Sequence, residues 1–294
     1  MDINWLRDFV CLGRTLNFTR AADERNITQS AFSRRIKSLE SWIGVPLVDR
    51  ANFPIRLSYA GEQFLPVAKE AIARLSEARQ SIRDQDQGNS KFVRFAVLHT
   101  ISVHYLAPRI EELEQSIRDL RIRVISDSLS TCCQLLDEAA CEFLLCYRHA
   151  EVNPVLDETN FARKDILIDQ LMPVARKDTS LENQWALPGH HKKNIPYLAY
   201  ESSSFLGEVV EHIIGNKSTH LDIRYMDGLV EALKRRLITG GGIAWMPYSA
   251  IKAELENGTL TSVGDEKWET PLILSLYCAP DKIDTIAKEV WKQF

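Results

Sequence analysis

Residues Phe18–Gly44, FTRAADERNITQSAFSRRIKSLESWIG, indicate more about the fold than any other stretch of the chain. Thr19 is a candidate N-cap for a short helix, and Asn26–Thr28 has the composition of a turn. A further helix follows, capped by Thr28. The stretch therefore predicts two helices joined by a tight turn, the arrangement with which helix-turn-helix domains place one helix in the major groove of DNA.

The second of these helices has one continuous apolar face. Phe32, Ile36, Leu39 and Ile43 follow one another at steps of four, three and four residues, which is typical of a buried helical stripe. Gly44 then occupies the position that favours a helix-ending glycine. We expect this helix to pack on its own domain through the stripe and to turn its other face outward.

The opposite face of this helix is polar and basic. It carries Gln29, Ser30, Ser33, Arg34 and Lys37, with Thr28 at its start and Arg35 at its edge. Glutamine pairs with adenine edges, arginine with guanine or phosphate, and serine with either. Taken alone, such a face is equally typical of a solvated helix surface. The tight turn and the short preceding helix favour DNA binding.

A small β wing is predicted after this helix. Two short extended segments flank Ala51–Phe53, and they contain Arg50 and Arg56. We expect both arginines to contact backbone phosphates, which position a protein on DNA without reading its sequence.

The chain from residue 60 to about residue 87 has the pattern of a long helix with one apolar side. Its length and one-sidedness predict that it packs against its counterpart in a second subunit. Packing onto its own domain is the alternative.

Charge is distributed unevenly along the chain. Residues 1–58 hold nine Lys and Arg against six Asp and Glu, a local charge of +3. The remainder holds 27 against 34, a charge of −7, and the whole chain has a net charge of −4. Because phosphate neutralisation requires local positive charge, an acidic whole is compatible with DNA contact at the N-terminal end.

With these residues considered together, the chain resembles the LysR-type transcriptional regulators. The matching positions run through roughly the first 65 residues: Phe18, Ala21, Ala22, Gln29–Ser33, Ile36, Leu39, Glu40, Gly44, Leu47, Arg50, Leu57, Ser58, Ala60 and Gly61. Ser58, where Thr is usual, and Tyr59 are small departures. A weaker likeness, at Tyr200–Gly207 and Gly242–Pro247, is to hypochlorite-responsive members of the family.

The resemblance implies a domain organisation: a winged helix-turn-helix at 1–60, a dimerising linker helix at 61–87 and an effector domain at 88–294. The effector domain would consist of two Rossmann-like α/β lobes that resemble periplasmic binding proteins, the first about 91–164 and 266–294, the second about 165–265. The implied partners are operator DNA, a small effector and further copies of the chain in a dimer or tetramer. Contact with RNA polymerase is also compatible with the family.

The alternation of strands and helices after residue 90 independently predicts a mainly parallel α/β sheet, with ligands at the strand ends. A run of three glycines at 240–242 invites a nucleotide-binding interpretation, but no helix or acidic partner follows at dinucleotide spacing.

Two hydroxyl-rich turns stand between a predicted strand and a predicted helix. Thr100, Ile101 and Ser102 form the first turn, and Ser202–Phe205 forms the second. Free N–H groups at helix N-termini favour anions, so we expect an effector between the lobes that is an amino acid or a small carboxylate. For each serine the alternative is a simple turn or helix cap. Candidate side walls are Tyr147, His149, Tyr225, Met226 and Trp245.

Oxidation of cysteine or methionine is an alternative signal to the binding of a small effector. The six cysteines, Cys11, Cys132, Cys133, Cys141, Cys146 and Cys278, include no CxxC pair, so we expect buried thiols in a reducing compartment. Oxidant sensing through a cysteine of the group 132–141, or through Met172, Met226 or Met246, ranks below metabolite sensing.

Other function classes are disfavoured. None of the sequences GxSxG, HExxH or GxxxxGK[ST] occurs, so an α/β enzyme with a DNA-binding appendage is a remote alternative. We expect no catalytic residues, no cofactor and no metal. The N-terminus lacks the layout of a signal peptide, and no apolar run approaches the roughly 20 residues of a membrane span, so we expect a cytoplasmic protein.

Overall fold

The computed structural model describes most of the chain: residues 2–50, 55–86, 92–154, 156, 160–177, 185–189, 194–215, 217 and 219–294. The predicted wing tip at 51–53 and the predicted boundary between the linker helix and the effector domain at 87–88 lie outside these residues, as do His190 and His191. Contacts divide the chain into two units: residues 1–91 with 137–140, and residues 92–136 with 141–294.

Three helices open the first unit: α1 (Ile3–Thr15), α2 (Phe18–Glu24) and α3 (Gln29–Ile43). Asn17 caps α2, because its Oδ1 accepts hydrogen bonds from the backbone N–H groups of Thr19 and Arg20 at 3.0 and 3.1 Å. The prediction that Thr19 caps this helix is therefore wrong. Thr19 lies inside the first turn, where its own N–H needs a cap.

The predicted ends and apolar stripe of α3 are confirmed. Oγ1 of Thr28 accepts a hydrogen bond from the N–H of Ala31, and Gly44 ends the helix with a φ of 89°. Phe32, Ile36 and Leu39 are fully buried. The stripe thus holds α3 against the core of the unit, which consists mainly of residues from α1, α2 and α3: Leu6, Phe9, Cys11, Leu12, Ala21, Ala22, Phe32, Ile36, Leu39, Leu47, Val48, Ala68 and Ile72.

Two short antiparallel strands, β1 (Val48–Asp49) and β2 (Arg56–Leu57), form the base of the predicted wing. The long helix α4 (Tyr59–Asp86) follows them and packs against α1. Ala68 and Ile72 of α4 are buried in the core of the unit, whereas Val67, Leu75 and Ile82 are more than half exposed. The described part of α4 thus reaches residue 86, and the predicted end of the linker helix at 87 lies outside the described residues.

The second unit is α/β. Its strands are β3 (Val93–Val97), β4 (Ile122–Ser126), β5 (Phe143–Arg148), β6 (Ala162–Arg176), β7 (Ile195–Tyr200), β8 (Leu221–Asp227), β9 (Ile243–Pro247), β10 (Leu260–Ser262) and β11 (Thr270–Cys278). Its α-helices are α5 (His99–Ile101), α6 (Ala107–Ser116), α7 (Leu129–Asp137), α8 (Phe205–Ile214), α9 (Val230–Ile238), α10 (Tyr248–Glu256) and α11 (Thr285–Gln293). A π-helical turn, Ser102–Leu106, joins α5 to α6.

Within the described residues these strands form one sheet in the order β4-β3-β5-β11-β6-β9-β7-β8, with β10 paired to β6. The pairs of β3 with β4 and β5 are parallel, as are those of β7 with β8 and β9. The pairs that join these two groups, β5 to β11, β11 to β6 and β6 to β9, are antiparallel. The prediction of a mainly parallel sheet is therefore correct at the two sides and wrong in the middle.

The two long central strands explain this mixed sheet. β6 spans fifteen residues; its first part pairs with β11 and its second part with β9 and β10. β11 returns along β6 and pairs on its other side with β5. Two chain crossings thus link the parallel groups. Among the described residues no helix is long and apolar enough to cross a membrane.

Candidate DNA interface and effector site

The outward face of α3 presents most of the predicted base-reading residues. Gln29, Ser30, Arg34 and Lys37 are exposed, and Ser33 is partly exposed. The capping bond of Thr28 fixes the start of the helix, and the buried stripe fixes its rotation. A polar helical face held in this way has the geometry of a helix that inserts its N-terminal half into the major groove.

Arg35 lies at the edge of this face and is held by an ion pair. Its Nη1 is 3.2 Å from Oδ2 of Asp8, a residue of α1 whose side chain is fully buried. Nε of Arg25, at the end of α2, is 2.8 Å from Oδ1 of the same carboxylate. One buried carboxylate thus joins arginines from the turn and from α3.

Arg50 is likewise engaged inside its own unit. Its Nη2 lies 2.8 Å from Oε2 of Glu40, while Oε1 of that glutamate accepts hydrogen bonds from the backbone N–H groups of Leu47 and Val48. The glutamate therefore fixes the entry to β1. Arg56, on β2, is exposed. Both predicted phosphate contacts in the wing are exposed, and Arg50 is in addition paired with Glu40.

The first predicted effector turn directly follows β3. Thr100 and Ile101 lie within α5 and are buried, and Ser102 begins the π-helical turn with a partly exposed side chain. α5 packs against α9, and α9 packs on β7, β8 and β9, which form the other parallel group of strands. The turn therefore lies where the two lobes meet.

The second predicted turn follows β7, and its serines differ in role. Oγ of Ser204 donates to the carbonyl of Glu201 at 2.7 Å and accepts from the N–H of Gly207 at 3.1 Å, so Ser204 is the N-cap of α8. Ser202 and Ser203 are exposed. The alternative interpretation of a helix cap is thus correct for Ser204, and the exposed hydroxyls of the turn are those of its two neighbours.

Tyr147, at the end of β5, connects the two lobes. Its ring stacks on that of Phe205, the first residue of α8, with centroids 6.4 Å apart. Its hydroxyl donates a 2.7 Å hydrogen bond to Oδ2 of the buried Asp169 and lies 3.3 Å from Oγ of Ser249. Burial, and secondarily the negative charge of Asp169, raise the pKa of Tyr147 well above its ordinary value, so the phenol stays protonated.

Three other predicted wall residues have different environments. Trp245 is fully buried, and its indole N–H donates to the carbonyl of Trp268 at 2.7 Å, so it belongs to the core and not to a cleft wall. Met226 is about half exposed on β8. His149 is buried, with Nε2 2.8 Å from Oγ1 of Thr270, and burial lowers its pKa.

The sequence did not single out the carboxylates around these sites. Asp8 follows Trp5 by three residues on the apolar side of α1, which is a detectable signal for a buried acid. Asp227 accepts from the N–H of Leu229 at 2.9 Å and from the hydroxyl of Tyr225 at 2.7 Å. Asp169 had no local signal. Over the described parts of the chain, no group of three or more His, Cys, Asp or Glu side chains is arranged to hold a metal.

Comparison with known proteins agrees with this geometry. Residues 3–62 match the model of the bacterial regulatory helix-turn-helix protein, lysR family, and residues 86–294 match the LysR substrate binding domain. The second match alone covers more than half of the chain. The chain belongs to the LysR family of transcriptional regulators. Its helix-turn-helix and its α/β domain are thus the DNA-binding and effector-binding parts of a LysR-type regulator.

Individual relatives of this LysR-type regulator span its whole length. The HTH-type transcriptional regulator YjiE of Escherichia coli is 26% identical over 100% of this chain and 94% of its own. The structure of Vibrio fischeri DarR in complex with DNA is 26% identical, with a TM-score of 0.60, over 99% of this chain and 97% of that one. Full-length HypT of Salmonella typhimurium, a hypochlorite-specific LysR-type regulator, is 25% identical, with a TM-score of 0.60, over 99% and 96%. LysR-type regulators bind DNA and small effectors and form oligomers.

Proposed function

We propose that this LysR-type regulator responds to a small amino acid, with a small carboxylate as the nearest alternative, bound between the lobes of its α/β unit. The stacking of Tyr147 on Phe205 is the observation that carries the proposal. This contact brings the end of β5 to the start of α8. The exposed hydroxyls of Ser202 and Ser203 therefore lie near the junction between the two lobes. Ser102 lies at the same junction, on the other lobe.

The surrounding charges favour an amino acid over a simple carboxylate. Backbone N–H groups at the starts of α5 and α8 and the hydroxyls of Ser102 and Ser202 are donors for a carboxylate. Glu201 begins the second turn, and its carboxylate lies beside Gly228, so an acid is available to an ammonium group. No Arg occurs in the residues of either turn. A ligand with one positive and one negative group satisfies both sets of partners.

Calorimetry with the full-length protein tests this proposal. The ligands are the individual amino acids and a matched series of carboxylates that lack the amino group. We expect at least one amino acid to bind, and the Ser102→Ala and Ser202→Ala variants to weaken that binding tenfold or more. Ser116→Ala, which removes a hydroxyl at the end of α6, is the control. Wild-type affinity in both turn variants would place the pocket elsewhere.

For the DNA-binding unit, we propose that Gln29, Ser30, Ser33 and Arg34 contact base edges, and that Lys37 and Arg56 contact phosphates. The supporting observation is their exposure on one face of α3 and on the wing strand. We propose that the other three predicted residues hold α3 and the wing in position, since each is engaged in a contact within the unit. These residues are Thr28, Arg35 and Arg50.

We propose that α4 pairs with the same helix of a second copy. Val67, Leu75 and Ile82 are spaced eight and seven residues apart and remain exposed, while the other side of α4 packs on its own unit. Exposed apolar residues at this near-heptad spacing are typical of a helix–helix interface. Leu75→Glu, compared with the exposed control Glu70→Gln, should shift the protein toward the monomer in sedimentation at micromolar concentration; an unchanged mass would refute this interface.

Oxidant sensing is the second candidate, and the exposure of Met226 favours that residue over the cysteines. All six cysteines are buried. Burial raises the pKa of Cys132 to about 12 and those of Cys11 and Cys278 to about 11, so these thiols are protonated and slow to react. Hypochlorite would transfer its oxygen to the Met226 sulfur and release chloride, forming the sulfoxide.

Mass spectrometry after limited hypochlorite treatment distinguishes these sulfur atoms. We expect the peptide that contains Met226 to gain one oxygen before the peptide with the buried Met246 does. Operator binding by Met226→Leu should then become insensitive to hypochlorite; a variant that still responds would exclude Met226 as the sensor.

We propose no catalytic activity for this chain. The relatives found are transcriptional regulators, which supports the proposal. Product formation from any ligand identified by calorimetry would contradict it.

A further inference from the structure

Asp8 is an acid on an otherwise apolar face of α1. It lies on the face of α1 that also carries Leu6, Phe9 and Leu12, and its side chain is fully buried. An ionised carboxylate in a protein interior is costly unless charged partners and hydrogen bonds compensate it. A leucine at this position would complete the apolar face of α1 without that cost. The acid therefore requires an explanation beyond packing.

The two partners of Asp8 come from the two parts of the DNA-binding motif. Arg25 follows α2 at the beginning of the turn, and Arg35 lies in the middle of α3. Their nitrogens are 2.8 and 3.2 Å from different oxygens of the carboxylate. Asp8 thus fixes the turn and α3 to α1 through a single side chain.

Arg35 remains partly available for DNA. Its side chain is 35% exposed, against 16% for Arg25, and it lies at the edge of the face that presents Arg34 and Lys37. Arginine has five N–H donors, and the contact with Asp8 is made by Nη1. The remaining donors keep a fixed direction relative to α3.

We propose that Asp8 is a specificity-determining positioning residue of the DNA-binding unit. By holding Arg35 in one orientation and neutralising one of the two positive charges, it restricts this arginine to one direction and keeps it from following phosphates at arbitrary positions. An unrestrained arginine adds a salt-sensitive contact that is independent of sequence. Asp8 therefore lowers binding to arbitrary DNA and preserves discrimination by the base-reading face of α3. The inference depends on α3 being the DNA-reading helix.

Asp8→Asn is the primary test, because it keeps the shape of the side chain and removes its charge. The probe is the duplex that the wild-type protein enriches from a random-sequence library, compared with a shuffled duplex of equal composition. We expect the ratio of the two affinities to fall at least tenfold. We also expect binding to the shuffled duplex to become more salt-dependent, with the slope of log K against log salt steeper by about one.

Glu24→Gln is the matched control. Glu24 also contacts two arginines, Arg14 of α1 and Arg20 of α2, but neither arginine belongs to α3. The proposal expects the affinity ratio of this variant to equal that of the wild type. An equal loss of discrimination in both variants would show a general effect of carboxylate removal and would overturn the role of Asp8.

A folded Asp8→Asn variant with unchanged discrimination overturns the proposal. If this variant does not fold, Asp8→Glu replaces it, because the longer acid keeps the charge but displaces Arg35. Discrimination should then fall with an unchanged salt slope, and unchanged discrimination would overturn the proposal. If the wild type enriches no duplex, the premise that α3 reads DNA is refuted, which is a separate result.

Discussion

The hydroxyl of Tyr147 donates a 2.7 Å hydrogen bond to Oδ2 of Asp169, and both side chains are buried, with 3% and 5% of their surfaces exposed. The tyrosine is the penultimate residue of β5, whereas the aspartate lies in the middle of β6. The same carboxylate accepts hydrogen bonds from the N–H of Gln170 and from the N–H and hydroxyl of Ser249. A single buried acid thus joins three elements of the α/β unit beside the proposed effector site.

Tyr147→Phe should destabilise the protein by about 1–3 kcal/mol, because it removes one donor from a buried carboxylate and leaves the ring packing intact. Denaturant unfolding monitored by circular dichroism measures the change. Tyr248→Phe, at a partly exposed tyrosine that begins α10, is the control and should be near neutral. Equal stability of the two variants would show that the hydrogen bond to Asp169 contributes nothing.

Stability should fall as the pH rises above about 10. Burial raises the pKa of Tyr147 and of Tyr200 well above the ordinary value, so both stay protonated in the folded state while they ionise in the unfolded chain. The contribution is fully present below the unfolded pKa and is lost as pH rises toward the folded pKa. Thermal melts across this range should show a shallower decline for Tyr147→Phe than for the wild type. Parallel declines would contradict this linkage.

Asn17→Ala should cost about 1 kcal/mol of stability, since Asn17 satisfies the N–H groups of Thr19 and Arg20. Thr19→Ala is the comparison and should change stability by less than about 0.5 kcal/mol. Chemical denaturation of both variants distinguishes the two candidate caps; a larger loss in Thr19→Ala would restore the cap that the sequence suggested.

Arg34→Ala should weaken binding to the enriched duplex by about 5- to 150-fold, which corresponds to the 1–3 kcal/mol of a base contact. Arg34 is exposed, so the fold and the oligomeric state should not change. Gel-shift titration measures the affinity, and Arg118→Ala, which removes an exposed arginine from the other unit, is the control. Unchanged affinity would show that this residue does not read DNA.

Gly242→Ala should be strongly destabilising, by roughly 3–5 kcal/mol. Its φ is 137°, and an added Cβ would lie 2.1 Å from the carbonyl oxygen of Pro196. Gly258, with a φ of 75° and open space around it, is the matched position, where alanine should cost about 1 kcal/mol. Comparable melting temperatures for the two variants would contradict the close approach at Gly242.

The helix-turn-helix could be predicted from the sequence because its signals are local. The stripe of Phe32, Ile36 and Leu39 and the caps Thr28 and Gly44 lie within seventeen residues of one another, and the structure has them as predicted. The strand and helix order of the second unit was predicted for the same reason. The mixed central sheet was not, because strand direction depends on the pairing of β6 with β11, which are distant in the sequence.

The sequence by itself determined the helix-turn-helix, the α/β body and the family, since periodicity, caps and motif spacing act over short distances along the chain. The tertiary structure decided which polar side chains remain available. Arg35 contacts an acid 27 residues away, Tyr147 one 22 residues away, and Trp245 is enclosed by the core. The sequence alone does not show whether a charged or aromatic side chain contacts solvent or a residue that is distant in the chain. Only the folded chain brings those partners together.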